Sequence, residues 1–427
     1  MMRRTRSHSF QSLYASPVWA VVAAFGAYFC MYGFRKPFTA GAYTDIFLWG
    51  AGYKTVLVMS QTMGYALSKW VGIKIISEIK AHQRAIGILV LIGFAELMLL
   101  GFGLVPAPWN FVFLFLNGFP LGMVFGLVQG YLEGRRMAEA LIAGLAASFI
   151  LADGFTKTVG GNLLQQGVSE NWMPFLAGLL FAVPLLIFTW MLTRIPAPSE
   201  KDIAHRAERK PMTKAERWGL FWRYAPGLTG ISIAYLLITI LRSIRADFAP
   251  EIWAGLGYSG VPSVYTYSEM YVALGIMAVN GLSVLIRDNR QAFFTSLGIS
   301  VLGLALVILA LFQLRGEGMG FWFMVVIGLG LYLPYVAVHT TVFERFLAMT
   351  REPGNIGFLM YLVDTVGYLG YVGMVFAKDR MRASGDFLSF FSQLAFLIAL
   401  GGLLAFVFSA WYFYRKKTVA AAAGVEA

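Results

Sequence analysis

The sequence predicts an all-α fold: a polytopic membrane protein of twelve transmembrane helices arranged as two pseudo-symmetric six-helix bundles. Three observations predict it. Of the 427 residues, 58% are hydrophobic and only 13% are charged, against about 25% charged in ordinary soluble domains. The apolar residues form successive runs of the roughly 20 residues that a bilayer crossing needs. A short pattern in the first run returns in the seventh.

In chain order the spans are read at roughly 17–39, 53–76, 84–105, 109–131, 140–164, 172–194, 222–248, 264–286, 291–313, 319–341, 354–377 and 387–414. The opening MMRRTRSHSF has the charge pattern of a signal peptide. No small-residue cleavage site stands out after it and many spans follow, so the first run is read as a retained helix. Connections are short except for residues 195–217, a basic linker containing PAPSEKDIAHRAERKPMTKAER. It divides the chain into an N-terminal bundle (1–194) and a C-terminal bundle (218–427), with no room left for a soluble domain.

The net charge of +12 does not imply a nucleic-acid partner, because most of the Lys and Arg residues sit in short loops between apolar runs and so report topology. One side receives Arg3, Arg4, Arg6, Lys80, Arg135, Arg136, the linker, Arg287, Arg290, Arg351, Arg415, Lys416 and Lys417. The other has Lys54, Arg315, Lys378, Arg380 and Arg382. Both termini are therefore expected on the cytoplasmic side of the inner membrane. The single cysteine, Cys30, excludes an intrachain disulfide and supplies no metal or redox motif. No cofactor or metal is expected, and the chain is expected to be monomeric in the lipid bilayer.

The halves repeat. AYFCMYGFR at Ala27–Arg35 corresponds to AYLLITILR at Ala234–Arg242. The fourth and tenth spans, from Gly118 and from Gly328, both run from a Gly-rich helix toward a Glu-bearing loop. Spans five and eleven each carry one acid, Asp153 and Asp364, in a Gly-rich helix. Parallel repeats of this size build secondary transporters whose substrate sits between the halves near the midplane.

In such a chain each charge inside a span is informative, since a cation there costs roughly 2.5–3.5 kcal/mol on insertion scales. The first span ends in FRKPF with Arg35 and Lys36; span two holds Tyr65 and Lys69, one helical turn apart. Span five holds Asp153 and Lys157, span seven Arg242, Arg245 and Asp247, and span eight Glu269 among tyrosines. The candidates comprise six cations and four anions, an excess suited to an anion. Arg35 and Arg242 fall at matched repeat positions, and each guanidinium can donate two parallel hydrogen bonds to one oxyanion. Tyr28 and Tyr32 share the face of Arg35. The bland readings are snorkelling anchors for Arg35, Lys36 and Lys69, an internal ion pair for Asp153 and Lys157, and a packed or hydrogen-bonded His339.

At these residues the chain resembles the major facilitator superfamily, and within it the organophosphate:phosphate antiporters of the glycerol-3-phosphate transporter type. MYGFRKPF resembles their first-helix motif with Tyr28, Tyr32, Arg35 and Lys36 in place. GYALSK resembles their Tyr-x-x-Ser-Lys, through Tyr65 and Lys69. LRSIRADFAP resembles their span-seven motif, through Arg242, Asp247 and Pro250, and KTVGG resembles their His-Asn-Val-Gly-Gly. The resemblance implies that Arg35 and Arg242 bind a phosphoryl group and that Lys36 pairs with Asp247, joined by Glu269. The family histidine is Lys157 here, Arg245 is an additional cation, and the loop after span two only faintly matches the superfamily signature.

The expected function is secondary transport of a small organic anion, a phosphate ester or carboxylate, by alternating access. Arg35 and Arg242 would clamp the anion, Lys69 and Lys157 add positive potential, and Tyr28, Tyr32 and Tyr65 orient it. One alternative is a proton-coupled symporter using Asp153, Glu269 or Asp364; another is a non-transporting receptor. An enzyme is not expected, since there is no HExxH, no Gly-x-Ser-x-Gly and no nucleophile with a plausible base.

Overall fold

The computed structural model describes Tyr14 and residues 16–44, 46–132, 138–196, 214–283, 285–313, 318–350, 356–381 and 386–423. Most of the basic linker lies outside them, as do Arg3, Arg4, Arg6, Arg135, Arg136, Arg315, Arg351 and Arg382 of the topology reading.

A helix occupies each predicted span position. In the first half these are α1 (Pro17–Gly33), α2 (Tyr53–Glu78), α3 (Arg84–Leu104), α4 (Phe111–Gln129), α5 (Ala138–Gln165) and α6 (Met173–Thr193). A short helix, α7 (Lys214–Arg223), precedes α8 (Ala225–Asp247), which is followed by α9 (Ala249–Gly255), α10 (Ser263–Ser283) and α11 (Asn289–Gln313). The tenth span is α12 (Gly320–Ala337), continued by a π-helical turn, Val338–Val342, into α13 (Phe343–Thr350). Glu344, expected in a loop, is thus helical. Then come α14 (Ile356–Met381) and α15 (Phe387–Ala423), and a two-stranded antiparallel ribbon, β1 (Phe47–Leu48) with β2 (Ala51–Gly52), sits between α1 and α2.

Among the described residues, seven helical segments are long and apolar enough by themselves to cross a membrane: those containing α3, α4, α6, α8, α11, α12 and α15. The chain is a multi-pass membrane protein. Helix α1 is shorter, at 17 residues, than the 17–39 run suggests. Its last turn tightens: the backbone N–H groups of Arg35 and Lys36 both donate to the Tyr32 carbonyl, at 3.0 and 2.9 Å. Pro37 then opens a 3₁₀ turn, Pro37–Ala40, because a proline has no N–H to continue an α-helix. Arg35 and Lys36 therefore sit in a turn rather than in a span. The helices α2, α5, α10 and α14 are those that carry Lys69, Asp153 with Lys157, Glu269 and Asp364.

The chain forms two compact units that cut across the chain-order halves. The first comprises Met1–Ala207, Ala246–Met277 and Val375–Ala383; the second comprises Glu208–Arg245, Ala278–Met374 and Ser384–Ala427. The first unit thus takes in α9, much of α10 and the end of α14.

Within the first unit, small residues of α1 (Ala20, Ala23, Ala24 and Ala27) are buried where it packs on α5 and α6. Helices α2 and α4 cross with little between their backbones: a Cβ at Gly118 would run into the Gln61 carbonyl, and one at Gly122 would lie 2.7 Å from the Tyr65 carbonyl. Such small-residue contacts let helices approach where no hydrophobic effect drives them together. Helix α5 meets α10 in the same way at Gly154, where a Cβ would be 2.8 Å from Glu269 Cγ. In the second unit, α11 and α12 meet at Gly303 and Gly330, each placed against the other's carbonyl. Gly367 and Gly370 of α14 pack on Thr239 and Leu236 of α8, which brings Asp364 beside Tyr235.

Candidate functional site

In the first unit the site begins at the turn after α1. A buried turn leaves carbonyls that the helix no longer satisfies, and two neutral side chains meet that need. Gln61 Nε2 donates to the Arg35 carbonyl and to Asn117 Oδ1, both at 2.8 Å. Asn117 Nδ2 donates to the Phe34 and Ala95 carbonyls, both at 3.0 Å. So held, Arg35 lays its guanidinium 3.8 Å from the centre of the Tyr65 ring and 5.6 Å from that of Tyr32. Lys69 Nζ is 5.6 Å from the same Tyr65 ring. Tyr28 packs edge-on against Tyr32 at 5.6 Å. All three tyrosines are buried. A ring on the guanidinium's face fixes its plane while the N–H donors point within that plane.

Beside this cluster lies a charge-balanced one. Lys36 donates to Asp247 and stands 4.0 Å from Asp153, which pairs with Lys157. These four side chains are buried and sum to no net charge. Lys54 forms a further ion pair with Glu251 at 2.7 Å. Thr158 donates to the Pro262 carbonyl and accepts from Thr266, both at 2.7 Å, and Gln165 donates to the Gly260 carbonyl at 2.7 Å. Glu269 is buried against Gly154 of α5. The ends of α1, α2 and α5 are thus fastened to residues 247–266 by ion pairs and hydroxyl and amide hydrogen bonds.

In the second unit Arg242 repeats the arrangement of Arg35: its guanidinium is 4.3 Å from the Tyr335 ring and 5.7 Å from Tyr332. Arg245 is buried and donates to the Met324 carbonyl at 2.9 Å. His339, read from sequence as a packed or hydrogen-bonded residue, lies 2.5 Å from the Tyr235 hydroxyl, which donates to Asp364 at 2.5 Å.

Gln61, Asn117, Tyr332 and Tyr335 carry no charge signal in the sequence. Lys54 enters the sequence reading only as a loop charge, and Glu251 and Glu96 of α3 do not enter it. Both Glu96 carboxyl oxygens are sealed from solvent without a hydrogen-bond partner among the described residues, against Gly178 of α6. A cavity of about 260 Å³ opens elsewhere, beside Tyr43, Tyr53 and Glu170. Glu170 accepts from the Ala42 and Tyr43 backbone there, and no basic residue lines it. Burial, and then the Glu170 carboxylate, hold the Tyr43 phenol well above its ordinary range, so it stays neutral. Among the described residues, no three His, Cys, Asp or Glu side chains are placed to hold a metal ion.

These helices and their charged interior define a class, the multi-pass membrane proteins of the major facilitator fold. A solved structure titled "Crystal structure of D-xylose-proton symporter" matches with a TM-score of 0.58 over 93% of this chain and 97% of that one, at 12% identity. At that identity the likeness establishes the fold. Residues 37–416 match the model of a family of unknown function, DUF5690, and the chain belongs to that family. Comparison with curated protein sequences found no match.

Proposed function

We propose that the protein is a secondary transporter that carries a small organic anion, a phosphate ester or a carboxylate, by alternating access. One observation carries the reading. Arg35 and Arg242, at matched positions of the repeat, each lie over the face of a buried tyrosine, Tyr65 in one unit and Tyr335 in the other. A stacked guanidinium presents its forked N–H donors to a carboxylate or phosphate.

Arg35 and Arg242 would clamp the anion. Lys69 adds positive potential; Lys157, paired to Asp153, contributes through that pair. Tyr28, Tyr32 and Tyr65 would orient the anion. The motif resemblance to the organophosphate antiporters supports a phosphate ester, and Lys157 in place of their histidine leaves room for a more highly charged anion. The Lys36–Asp247 and Lys54–Glu251 pairs would be the non-cytoplasmic gate, broken and remade on each cycle, with Glu269 beside them. Rocking needs a ligand whose affinity differs between the two states, since equal affinity shifts nothing.

The test is uptake into proteoliposomes. Arg35→Lys and Arg242→Lys each keep the charge and lose the fork. Losing a charged hydrogen bond costs about 1.5–3 kcal/mol, so each should slow uptake of glycerol 3-phosphate or succinate by roughly 10- to 100-fold. Wild-type rates in both variants would remove the clamp.

A further inference from the structure

Resting on the anion reading, we propose that Tyr235, His339 and Asp364 form a proton-binding site in the second unit, coupled to the anion through Tyr335.

Hydrogen counting comes first. The Tyr235 hydroxyl has one proton and donates it to Asp364 Oδ1 at 2.5 Å. The equally short contact with His339 Nε2, at 2.5 Å, then needs its proton from the imidazole, so Nε2 carries hydrogen and donates to the phenol oxygen. In that state the carboxylate is charged and Nδ1 is bare. One more proton on Nδ1 makes an imidazolium whose Nε2 lies 3.4 Å from Asp364 Oδ1. The triad therefore accepts a single proton without moving a heavy atom, and the charge it gains cancels the buried carboxylate.

The backbone supports this assignment. His339 sits in the π-helical turn Val338–Val342, an irregularity frequent at functional sites. Tyr235 and Asp364 are buried, whereas the imidazole side chain is 26% exposed, the most open of the three. Among the described residues, charged and titratable groups lie on each element packed around the triad. Helix α13, which continues the π turn, carries Glu344 and Arg345. Helix α8 brings Tyr235 and Arg242; α12 brings Tyr332 and Tyr335; α14 brings Asp364 and Tyr368. Helix α11, packed on the π turn, carries one charged residue, Arg290, in its first turn.

The coupling runs through one ring. Tyr335 stacks on Tyr235 at 5.3 Å and meets His339 at a tilt, 4.7 Å between ring centres, and the same ring lies 4.3 Å from the Arg242 guanidinium. Protonating His339 adds a cation next to the ring under Arg242. That raises the positive potential where the anion would sit, so proton and anion bind together. Co-binding to one state carries both in the same direction, which is symport.

Two measurements test it. The first needs no substrate: purified protein labelled with ¹⁵N-histidine is titrated by NMR, with His339→Gln identifying the His339 resonance among four histidines. Removing the neighbouring carboxylate in Asp364→Asn should make the His339 imidazole harder to protonate, because the charge that pairs with the imidazolium is gone. An unchanged midpoint in Asp364→Asn and in Tyr235→Phe would overturn the site. The second uses proteoliposomes and labelled glycerol 3-phosphate or succinate. Acid outside should accelerate wild-type uptake at least tenfold, and in His339→Gln the ratio of uptake with acid outside to uptake at equal pH, taken within that variant, should fall to near one. Acceleration retained in His339→Gln, or absent from the wild type, would overturn the coupling. Failure of exchange in the wild type removes the anion reading, and the NMR result then still decides the proton site.

Discussion

At the scale of single residues, the two stacked arginines are held by neutral partners. The Tyr65 face under Arg35 supplies an attraction of about 0.5–2 kcal/mol for a cation–ring contact. Tyr65→Leu should therefore weaken anion binding by roughly 2- to 30-fold, read as a rise in the half-saturating concentration for uptake. Asn117 serves stability instead: it satisfies the Phe34 and Ala95 carbonyls and accepts from Gln61. Leaving a buried polar group unpaired costs about 1–3 kcal/mol. Asn117→Leu should lower the melting temperature of the purified protein clearly more than Leu substitution of an exposed residue such as Gln313. Glu96 predicts the reverse. Its carboxyl, sealed and without a partner among the described residues, is costly to bury, so Glu96→Met should leave thermal stability unchanged or raise it.

At the scale of elements, three of the helices that are weakest as spans by composition carry buried charge. Helices α2, α5 and α10 interrupt their apolar faces with Lys69, Asp153 with Lys157, and Glu269. That is why the positions of twelve helices were readable from apolar runs, and why the buried charges stood out. What was not readable follows from the same physics. Gln61 and Asn117 are neutral and break no run, yet they hold the turn that presents Arg35. Lys54 and Glu251 each look like an end-of-helix charge, and only the fold brings them together. The tenth span reads as uninterrupted, but its π turn at Val338–Val342 leaves no trace in hydropathy. Close crossings add a further constraint on α11 and α12: with Gly303 and Gly330 against opposing carbonyls, Gly330→Val must push the helices apart. It should reduce the yield of folded protein in mild detergent, measured by monodispersity on size-exclusion chromatography.

At the scale of the molecule, the first unit gathers residues from both halves of the chain, with Lys36–Asp247 and Lys54–Glu251 inside it. Removing one partner of a buried pair leaves an uncompensated charge and costs about 3–5 kcal/mol, whereas removing both can be nearly neutral. Lys36→Ala and Asp247→Ala should each lower thermal stability, and the double variant should lose clearly less than the sum of the two losses. Transport should respond differently: if the pair is a gate, the double variant stays folded but cycles at an altered rate.

The central claim is the proposal that the protein binds an anion through Arg35 and Arg242. The most direct measurement is a thermal-shift comparison of purified wild type, Arg35→Lys and Arg242→Lys against phosphate esters, carboxylates and neutral sugars. A ligand at 100 times its dissociation constant stabilises by about 2.7 kcal/mol. The account predicts stabilisation of the wild type by at least one anion and its loss in both variants. Stabilisation by neutral sugars alone, or an equal anion response in all three proteins, would contradict it.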